Sequence, residues 1–247
     1  MLARKMAASV LRASRAFDRR VERPMLDEAQ HSETVGEKTY RRIRADIVFG
    51  RLPPGERLTL DRMRDAYEAS VSTLREMLNR LSSEGLVVAE GSRGFQVTPV
   101  SAANLREVAA MRCLLETHAL RLSFEAGDMD WEGGVVAAHH KLASVERRMG
   151  AGERSGAETW KRYDWEFHRA LIAACGSQVL LETHATIYDR YLRYQMVAAV
   201  YRGEVAGAEH RKLLDCALRR DWKTAQGTLT THVQDCVTHM IAKRLVR

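Results

Sequence analysis

Residues 60–97 read LDRMRDAYEASVSTLREMLNRLSSEGLVVAEGSRGFQV and contain two short helical patterns in quick succession. The first covers 60–67 and the second covers 71–83, where leucines three and four positions apart form one apolar row. Ser70 is placed to cap the second helix, and Gly85 follows its end. Two helices joined by so tight a turn indicate a helix-turn-helix.

Two apolar runs follow this pair of helices along the chain. Residues 86–90 (LVVAE) and 95–99 (FQVTP) flank the turn at 91–94 (GSRG), so we expect a hairpin that forms a wing. Upstream, 40–49 carries its apolar residues at helical spacing and stops at Gly50, before a Pro-Pro-Gly turn. Three helices with a two-stranded wing are the pattern of a winged helix-turn-helix.

The remainder of the chain, beyond Ser101, carries long amphipathic patterns separated by glycines, without a comparable strand signal. We therefore expect a mostly α protein whose C-terminal part is an all-α antiparallel bundle of about six to seven helices. The predicted organisation comprises a basic arm without ordered structure at 1–33, the winged helix-turn-helix at 34–99, a linker at 100–104 and the helical domain at 105–247. An alternative for the arm is that translation starts near Met25.

Composition narrows the class of protein. The 247 residues carry a formal net charge of +7 and a pI near 9.4, which favours an acidic partner such as nucleic acid. Four cysteines occur without a Cys-x-x-Cys pair, a usage that suits reduced thiols in the cytoplasm better than a disulfide framework. No stretch reaches the roughly 20 consecutive apolar residues of a membrane helix. Composition thus favours a cytoplasmic protein with an acidic partner, nucleic acid ahead of a membrane.

The outer face of the second helix of the pair carries groups that suit DNA recognition. Ser72, Thr73 and Arg75 combine short hydroxyls with a guanidinium, and such side chains reach base edges in the major groove. In the wing, Arg93 lies between small residues and is suited to a phosphate or minor-groove contact. The alternative is that both arginines are ordinary solvated charges.

Four further residues have the spacing of a metal site. Asp164 and His168 lie four residues apart, so a helix projects both from one face. His210 and His232 are equidistant from Asp221, where Arg-Arg-Asp-Trp suggests a turn, so an antiparallel helix pair would bring both imidazoles together. This donor set suits Zn²⁺, or else Ni²⁺, Mn²⁺ or Fe²⁺, with positions open for water or a carboxylate. The alternative is that the histidines are core or surface residues of amphipathic helices.

Four short motifs stand in order in the N-terminal part: PGERL at 54–58, LREMLNRL at 74–81, EGLV at 84–87 and RGFQV at 93–97. They resemble the winged-helix domain of the GntR family of bacterial regulators. The resemblance implies DNA contacts from Ser70, Ser72, Thr73 and Arg75, with Gly94 at the tip of the wing. Two positions depart from the family pattern, since Val71 stands where many members have Arg and Glu68 where they have Gly. The contact made by that arginine is absent here, so operator preference cannot be carried over.

The C-terminal part carries a second set of motifs: DxxxHxxL at 164–171, GSxxL at 176–180, and Glu209-His210 followed by His232. They resemble the FCD effector domain of the FadR subfamily over about 104–240. In that family the matching Asp and three His bind a metal, which captures organic-acid effectors together with a nearby arginine. The resemblance assigns this arginine to Arg112, whose alternative role is a salt bridge to Glu116. Arg193 is a second candidate, with a solvated charge as its alternative.

Together these patterns predict a homodimeric transcriptional regulator that binds double-stranded operator DNA and is not an enzyme. A small carboxylate effector, bound at the metal site of the C-terminal domain, would control operator affinity. The alternative is a metal-dependent hydrolase of the helical bundle, in which Asp164 and the three histidines activate water. It lacks an evident general base, because Glu166 projects from a different helix face than Asp164.

Overall fold

The computed structural model describes residues 34–91, 94–153, 156–198 and 202–243. The predicted arm at 1–33 and the predicted wing contact Arg93 lie outside these ranges, and both stay predictions. Among the described helices, none has the length and hydropathy needed to span a membrane.

Three helices form the helical part of the winged-helix domain: α1 (Val35–Val48), α2 (Leu60–Tyr67) and α3 (Val71–Ser83). Helix α1 begins earlier than its apolar pattern predicted, because the Thr34 hydroxyl accepts a hydrogen bond from the Glu37 amide and caps the helix. Helices α2 and α3 have the predicted bounds. Ile43 and Ile47 of α1 are fully buried, as is the leucine row of α3, and the packing of these two helices forms the core of the domain.

Local chemistry determines the start of α3 and the turn before it. The Ser70 hydroxyl accepts a hydrogen bond from the Thr73 amide at 3.2 Å, which satisfies one of the unpaired N–H groups of the first turn. Between α2 and α3, Glu68 adopts a left-handed backbone conformation with φ 53°. Glycine adopts this conformation without a Cβ penalty. A glutamate therefore occupies a turn whose geometry suits glycine.

The predicted wing is present and has one strand more than expected. Strands β2 (Val87–Ala89) and β3 (Phe95–Val97) pair antiparallel, with Val88 opposite Gln96. A third strand, β1 (Arg57–Leu58), pairs with the other edge of β3, so the sheet order is β1-β3-β2. The two-stranded wing of the sequence analysis is thus extended to three strands. Two residues show no periodicity from which the extra strand could have been predicted.

Six helices form the C-terminal part of the described chain, the lower number of the predicted range. They are α4 (Ala102–Ala126), α5 (Met129–Gly150), α6 (Ala157–Ile172), α7 (Gln178–Val197), α8 (Glu204–Leu218) and α9 (Trp222–Ala242). Helix α4 starts inside the expected linker at 100–104, because the Ser101 hydroxyl caps it by accepting from the Asn104 amide at 3.1 Å. Large side chains such as Phe167 and Tyr191 are fully buried and belong to one core shared by the helices.

Helix α7 contacts both halves of the described chain. Toward the winged helix, Asp189 pairs with Arg44 of α1, and the Arg193 guanidinium donates to a backbone carbonyl just after β3. Near the start of α4, the Tyr194 hydroxyl donates to the side-chain oxygen of Asn104 at 2.9 Å. The winged helix is therefore joined to the bundle by side-chain contacts of α7 as well as by the covalent connection between β3 and α4.

Candidate DNA-binding surface and metal centre

The predicted DNA-contact residues of α3 lie at its start and along its outer face. Ser72 and Arg75 are exposed, while Leu74 is fully buried on the opposite side. The Ser70 hydroxyl lies 2.8 Å from that of Ser72 and 2.9 Å from that of Thr73, so the hydroxyls cluster at the helix N-terminus. A helix start that presents N–H groups, hydroxyls and a guanidinium suits contacts with phosphates and base edges.

Residues of the wing turn and of α3 that lie next to these contact positions add to the description of the DNA-binding surface. Gly94, at the end of the wing turn, has φ 90°, a conformation that glycine adopts readily. Val71 presents a partly exposed apolar side chain, 37% accessible, at the first position of α3. Arg75 is exposed, whereas Arg80 of the same helix donates to Glu37 of α1 at 2.7 Å. Arg75 is therefore the guanidinium of α3 that faces solvent, with no side-chain hydrogen bond or ion pair to another described residue.

Four buried side chains meet inside the helical domain: Asp164 and His168 of α6, His210 of α8 and His232 of α9. Their ligand atoms all lie within 4.8 Å of one another. Asp164 and His168 share a helix face, and the turn at 219–221 between α8 and α9 places His210 beside His232. The structure thus brings together all four residues that were predicted as metal ligands.

Each histidine of this cluster is held from behind by a glutamate. The contacts are His168 Nδ1 to Glu116 Oε1 at 2.5 Å, His210 Nδ1 to Glu146 Oε1 at 2.8 Å, and His232 Nδ1 to Glu209 Oε2 at 2.7 Å. A carboxylate at Nδ1 favours the tautomer whose Nε2 carries a lone pair. Within the described chain, Nε2 of His168 and of His210 make no hydrogen bond, and they lie 3.9 and 3.3 Å from Asp164 Oδ1. Buried, unpaired imidazole nitrogens around one carboxylate fit the requirements of a divalent cation.

Burial and neighbouring charges set the ionisation of the cluster. Burial alone would raise the pKa of Asp164, but Lys161 and the adjacent histidines lower this pKa well below its usual value. Burial lowers the pKa of His168 and of His232, which favours their neutral, metal-ligating form. Burial would also lower the pKa of His210, but the neighbouring carboxylates of Asp164 and Glu146 raise it to about 9. A bound cation would replace the proton that His210 carries in its absence.

Arg112 lies behind the cluster, fully buried on α4. Its Nε donates to Glu116 at 2.8 Å, as the alternative interpretation predicted, and its Nη2 lies 3.2 Å from His168 Nδ1. The guanidinium carbon lies 4.4 and 4.7 Å from the ring centroids of Tyr188 and Tyr191. Arg112 therefore contacts both His168 and the glutamate that orients it, and its buried Nη1 donor has no hydrogen-bond partner among the described residues.

Arg193, the second predicted effector contact, is not part of this cluster. Arg193 is only 4% exposed, and its guanidinium donates to the Thr98 carbonyl. Burial lowers the pKa of this guanidinium to about 10. The structure thus places Arg193 at the contact between α7 and the wing, where it is neither beside the predicted metal nor solvated.

A cavity adjoins the cluster, and side chains that the sequence analysis did not single out contribute to its wall. Besides Asp164, His210 and His232, it is lined by Lys161, Gln195, Arg202, Trp160, Ala206 and Cys236. Its volume is about 10 Å³, which is room for about one water molecule. Lys161 Nζ lies 3.3 Å from Asp164 Oδ2, and Arg202 donates to Glu209. Two cationic side chains, Lys161 and Arg202, therefore lie beside the candidate metal ligands. Only the position of Lys161 could have been predicted from the sequence, because it lies three residues before Asp164 on the same helix.

Comparison with known proteins supports the assignment of both parts. Residues 36–97 match the family described as bacterial regulatory proteins, gntR family, and residues 107–235 match the FCD domain. The HTH-type transcriptional regulator BphR of Paraburkholderia xenovorans (strain LB400) is 36% identical, over 82% of this chain and 83% of its own. The HTH-type transcriptional repressor GlaR of Escherichia coli (strain K12) is 29% identical, over 78% of this chain and 90% of its own.

Solved structures share the fold. E. coli McbR/YncC has a TM-score of 0.70 at 20% identity, over 85% of this chain and 99% of that chain. A GntR transcriptional regulator from Rhodococcus sp. RHA1 has a TM-score of 0.69 at 20% identity, over 84% of this chain and 97% of that chain. The chain is therefore a transcriptional regulator that belongs to the GntR family, with an N-terminal DNA-binding domain and a C-terminal FCD effector domain, and it is not the hydrolase of the alternative interpretation.

Proposed function

We propose that this chain is a homodimeric regulator whose affinity for operator DNA is set by a small carboxylate bound at a metal in the FCD domain. The metal, Zn²⁺ by preference, would be held by Asp164, His168, His210 and His232. The proposal rests above all on the glutamates behind the three histidines, which leave Nε2 lone pairs around one carboxylate. Such a donor set also accepts Ni²⁺, Mn²⁺ or Fe²⁺.

The surroundings of the cluster suit an anionic effector. A divalent cation here would supply a Lewis acid to which a carboxylate can bind. Lys161 and Arg202 line the adjacent cavity and would add positive charge. Arg112, which the resemblance assigned to the effector, does not line this cavity; its Nη1, unpaired among the described residues, is buried behind His168 on the Nδ1 side of the ring. The cavity has room for about one water molecule, so binding of any carboxylate would require its walls to move apart.

Helix α7 offers a route from the metal centre to the DNA-binding domain. Tyr188 donates to Asp164 Oδ2 at 2.9 Å, and the next residue, Asp189, pairs with Arg44 of α1. Arg44 also donates to Glu84, at the end of α3, at 3.3 Å. A ligand that moves Asp164 would therefore act on the contact that holds the winged helix. Such a ligand changes DNA affinity only if it binds the two arrangements with different affinity.

On DNA, we expect α3 to enter the major groove, with Ser72, Thr73 and Arg75 at base edges. The wing residues Arg93 and Gly94 would follow the backbone or the minor groove. Two winged helices in a homodimer read half-sites about one helical turn apart. The expected operator is therefore close to palindromic.

The test is metal- and acid-dependent binding of operator DNA. Fluorescence anisotropy would follow the full chain on a labelled fragment of its own upstream region, with chelator, with Zn²⁺, and with a panel of small carboxylates. His168→Ala should lower the bound metal below one ion per chain and abolish the response to acids. His140→Ala, at an exposed position of α5, should leave both unchanged.

The outcomes separate the proposal from its competitors. Operator binding that weakens with salt and responds to an acid only in the metal-loaded protein supports it. If metal removal instead unfolds the bundle, and no acid changes the operator Kd or the melting temperature, the metal is structural and the proposal is wrong.

A further inference from the structure

A buried lysine lies beside the candidate metal ligands. Lys161 of α6 is 3% exposed, and its Nζ donates to Asp164 Oδ2 at 3.3 Å. The same ammonium lies 3.8 Å from the ring centroid of Trp160. Lysine is almost never fully buried unless it is paired, because the ammonium loses its hydration in the interior. Lys161 is thus a buried cation whose partner is one of the proposed metal ligands.

The lysine contact divides the two oxygens of the Asp164 carboxylate between different partners. Oδ2 accepts from Lys161 and also from the Tyr188 hydroxyl, at 2.9 Å. Oδ1 lies 3.3 Å from His210 Nε2 and 3.9 Å from His168 Nε2. Asp164 is therefore oriented to offer one oxygen, Oδ1, to a cation that the histidines also bind, while Oδ2 stays with Lys161 and the tyrosine.

Two of the glutamates behind the histidines have cationic partners as well. Glu116 accepts from Arg112 Nε at 2.8 Å, and Glu209 accepts from Arg202. A carboxylate behind a histidine raises the basicity of that ligand, and a cation on the carboxylate lessens the effect. Lys161 differs from both arginines because it contacts the carboxylate that would itself bind the metal. A divalent cation would therefore enter a site whose negative charge is already partly neutralised.

We propose that Lys161 is an internal counter-ion that keeps the metal at this site exchangeable. In the metal-free protein, its ammonium compensates the buried charge of Asp164, so that the core holds no isolated carboxylate. In the loaded protein, the same ammonium stays beside a divalent cation and repels it. Lys161 thus stabilises the empty site and weakens the filled one. The inference rests on the proposed function, because it takes Asp164 and the three histidines as the ligands.

Exchange of the metal matters for a regulator. A site that unfolds when it is empty holds its metal as a structural part. A site that stays folded when it is empty, and binds its metal with moderated affinity, has an occupancy that follows the supply of metal. Lys161 would place this domain in the second class.

The experiment removes the charge of Lys161 and keeps a donor to Asp164. Competition with a fluorescent chelator would give the Zn²⁺ Kd of the full chain and of its Lys161→Gln variant. We expect the variant to bind Zn²⁺ about tenfold more tightly, because a unit charge no longer opposes the cation at short range. Its metal-free form should melt about 5 °C lower or more, because Asp164 loses its buried partner. A merely structural role for Lys161 would lower the stability without this gain in affinity.

Two further variants separate the charge from the packing. Lys161→Arg keeps the positive charge and should bind Zn²⁺ no more tightly than the wild type. Lys223→Gln is the matched control, since it removes an exposed lysine of α9 whose ammonium lies 5.4 Å from the ring centroid of Trp222. It should keep the wild-type Kd and melting temperature. Equal or weaker Zn²⁺ binding by Lys161→Gln overturns the inference, and so does tighter binding by Lys161→Arg.

The test remains decisive if metal-free Lys161→Gln does not give the wild-type far-ultraviolet spectrum. Release of Zn²⁺ from the loaded proteins into excess chelator is then measured, and the variant should release its metal more slowly than the wild type. Equal or faster release overturns the inference. Zn²⁺ binding that Lys161→Gln leaves unchanged contradicts only the role of Lys161, whereas absence of Zn²⁺ binding by the wild type contradicts the proposed function as well.

Discussion

Replacement of Glu146 tests how much the metal centre depends on the carboxylates behind its histidines. Glu146 is 9% exposed, and its Oε1 lies 2.8 Å from His210 Nδ1. In Glu146→Gln the carbonyl can still accept this hydrogen bond, so the charge is lost and the bond is kept. Groups in this position typically change metal affinity by about 10- to 100-fold. We expect a loss of about tenfold, or about 1.4 kcal/mol, for Glu146→Gln and of about 100-fold for Glu146→Ala.

Competition for Zn²⁺ between the purified protein and a fluorescent chelator, at fixed neutral pH, measures these affinities. Glu107→Gln, at an exposed position of α4, is the matched control and should keep the wild-type Kd. Thermal unfolding of each metal-free variant checks that the fold is intact. The reasoning is refuted if Glu146→Ala binds Zn²⁺ as tightly as the wild type, or if the glutamine variant loses more affinity than the alanine variant.

Three further predictions concern the contact between domains, a strained turn and a buried tyrosine. Asp189→Asn weakens the ion pair with Arg44. Operator binding should persist, but the acid-induced change in operator Kd should fall from about fivefold or more to below about twofold. An undiminished change in anisotropy titrations would show that α7 does not couple the metal centre to the DNA-binding domain. Glu68→Gly should raise the free energy of unfolding by about 0.5 kcal/mol, because relief of a left-handed glutamate exceeds the added entropy of the unfolded chain; a loss of stability in urea would contradict this. Burial and a hydrogen bond to Glu84 raise the pKa of Tyr40 from 10.0 to about 12. The raised pKa of Tyr40 gives stability that is complete below pH 10 and lost as the pH rises to about 12, and Tyr40→Phe should reduce this loss by about 3 kcal/mol. Identical alkaline unfolding profiles for the two proteins would count against the assignment.

Much of the fold was accessible from the sequence, because the relevant interactions are local. The bounds of α2 and α3 follow from apolar spacing, and the Ser70 cap acts on an amide three residues away. Helix geometry predicted two pairs, Asp164 with His168 and His210 with His232, while the resemblance to FCD domains implied that the pairs meet, which requires packing of three helices. The short strand β1 escaped prediction because its two residues depend on pairing with a distant strand.

Local sequence patterns thus predicted most of the helices, the Ser70 cap and the identity of the candidate ligands. The tertiary structure decided which side chains surround those ligands. Glu116 and Glu146 stand 52 and 64 positions from the histidines that they contact, and no local pattern links such pairs. Packing likewise placed Arg193 against the wing and Gln195 in the wall of the cavity. The physical reason is that periodicity tells which face of a helix is buried, whereas the partner of a buried polar group is chosen only when the helices pack and water is excluded.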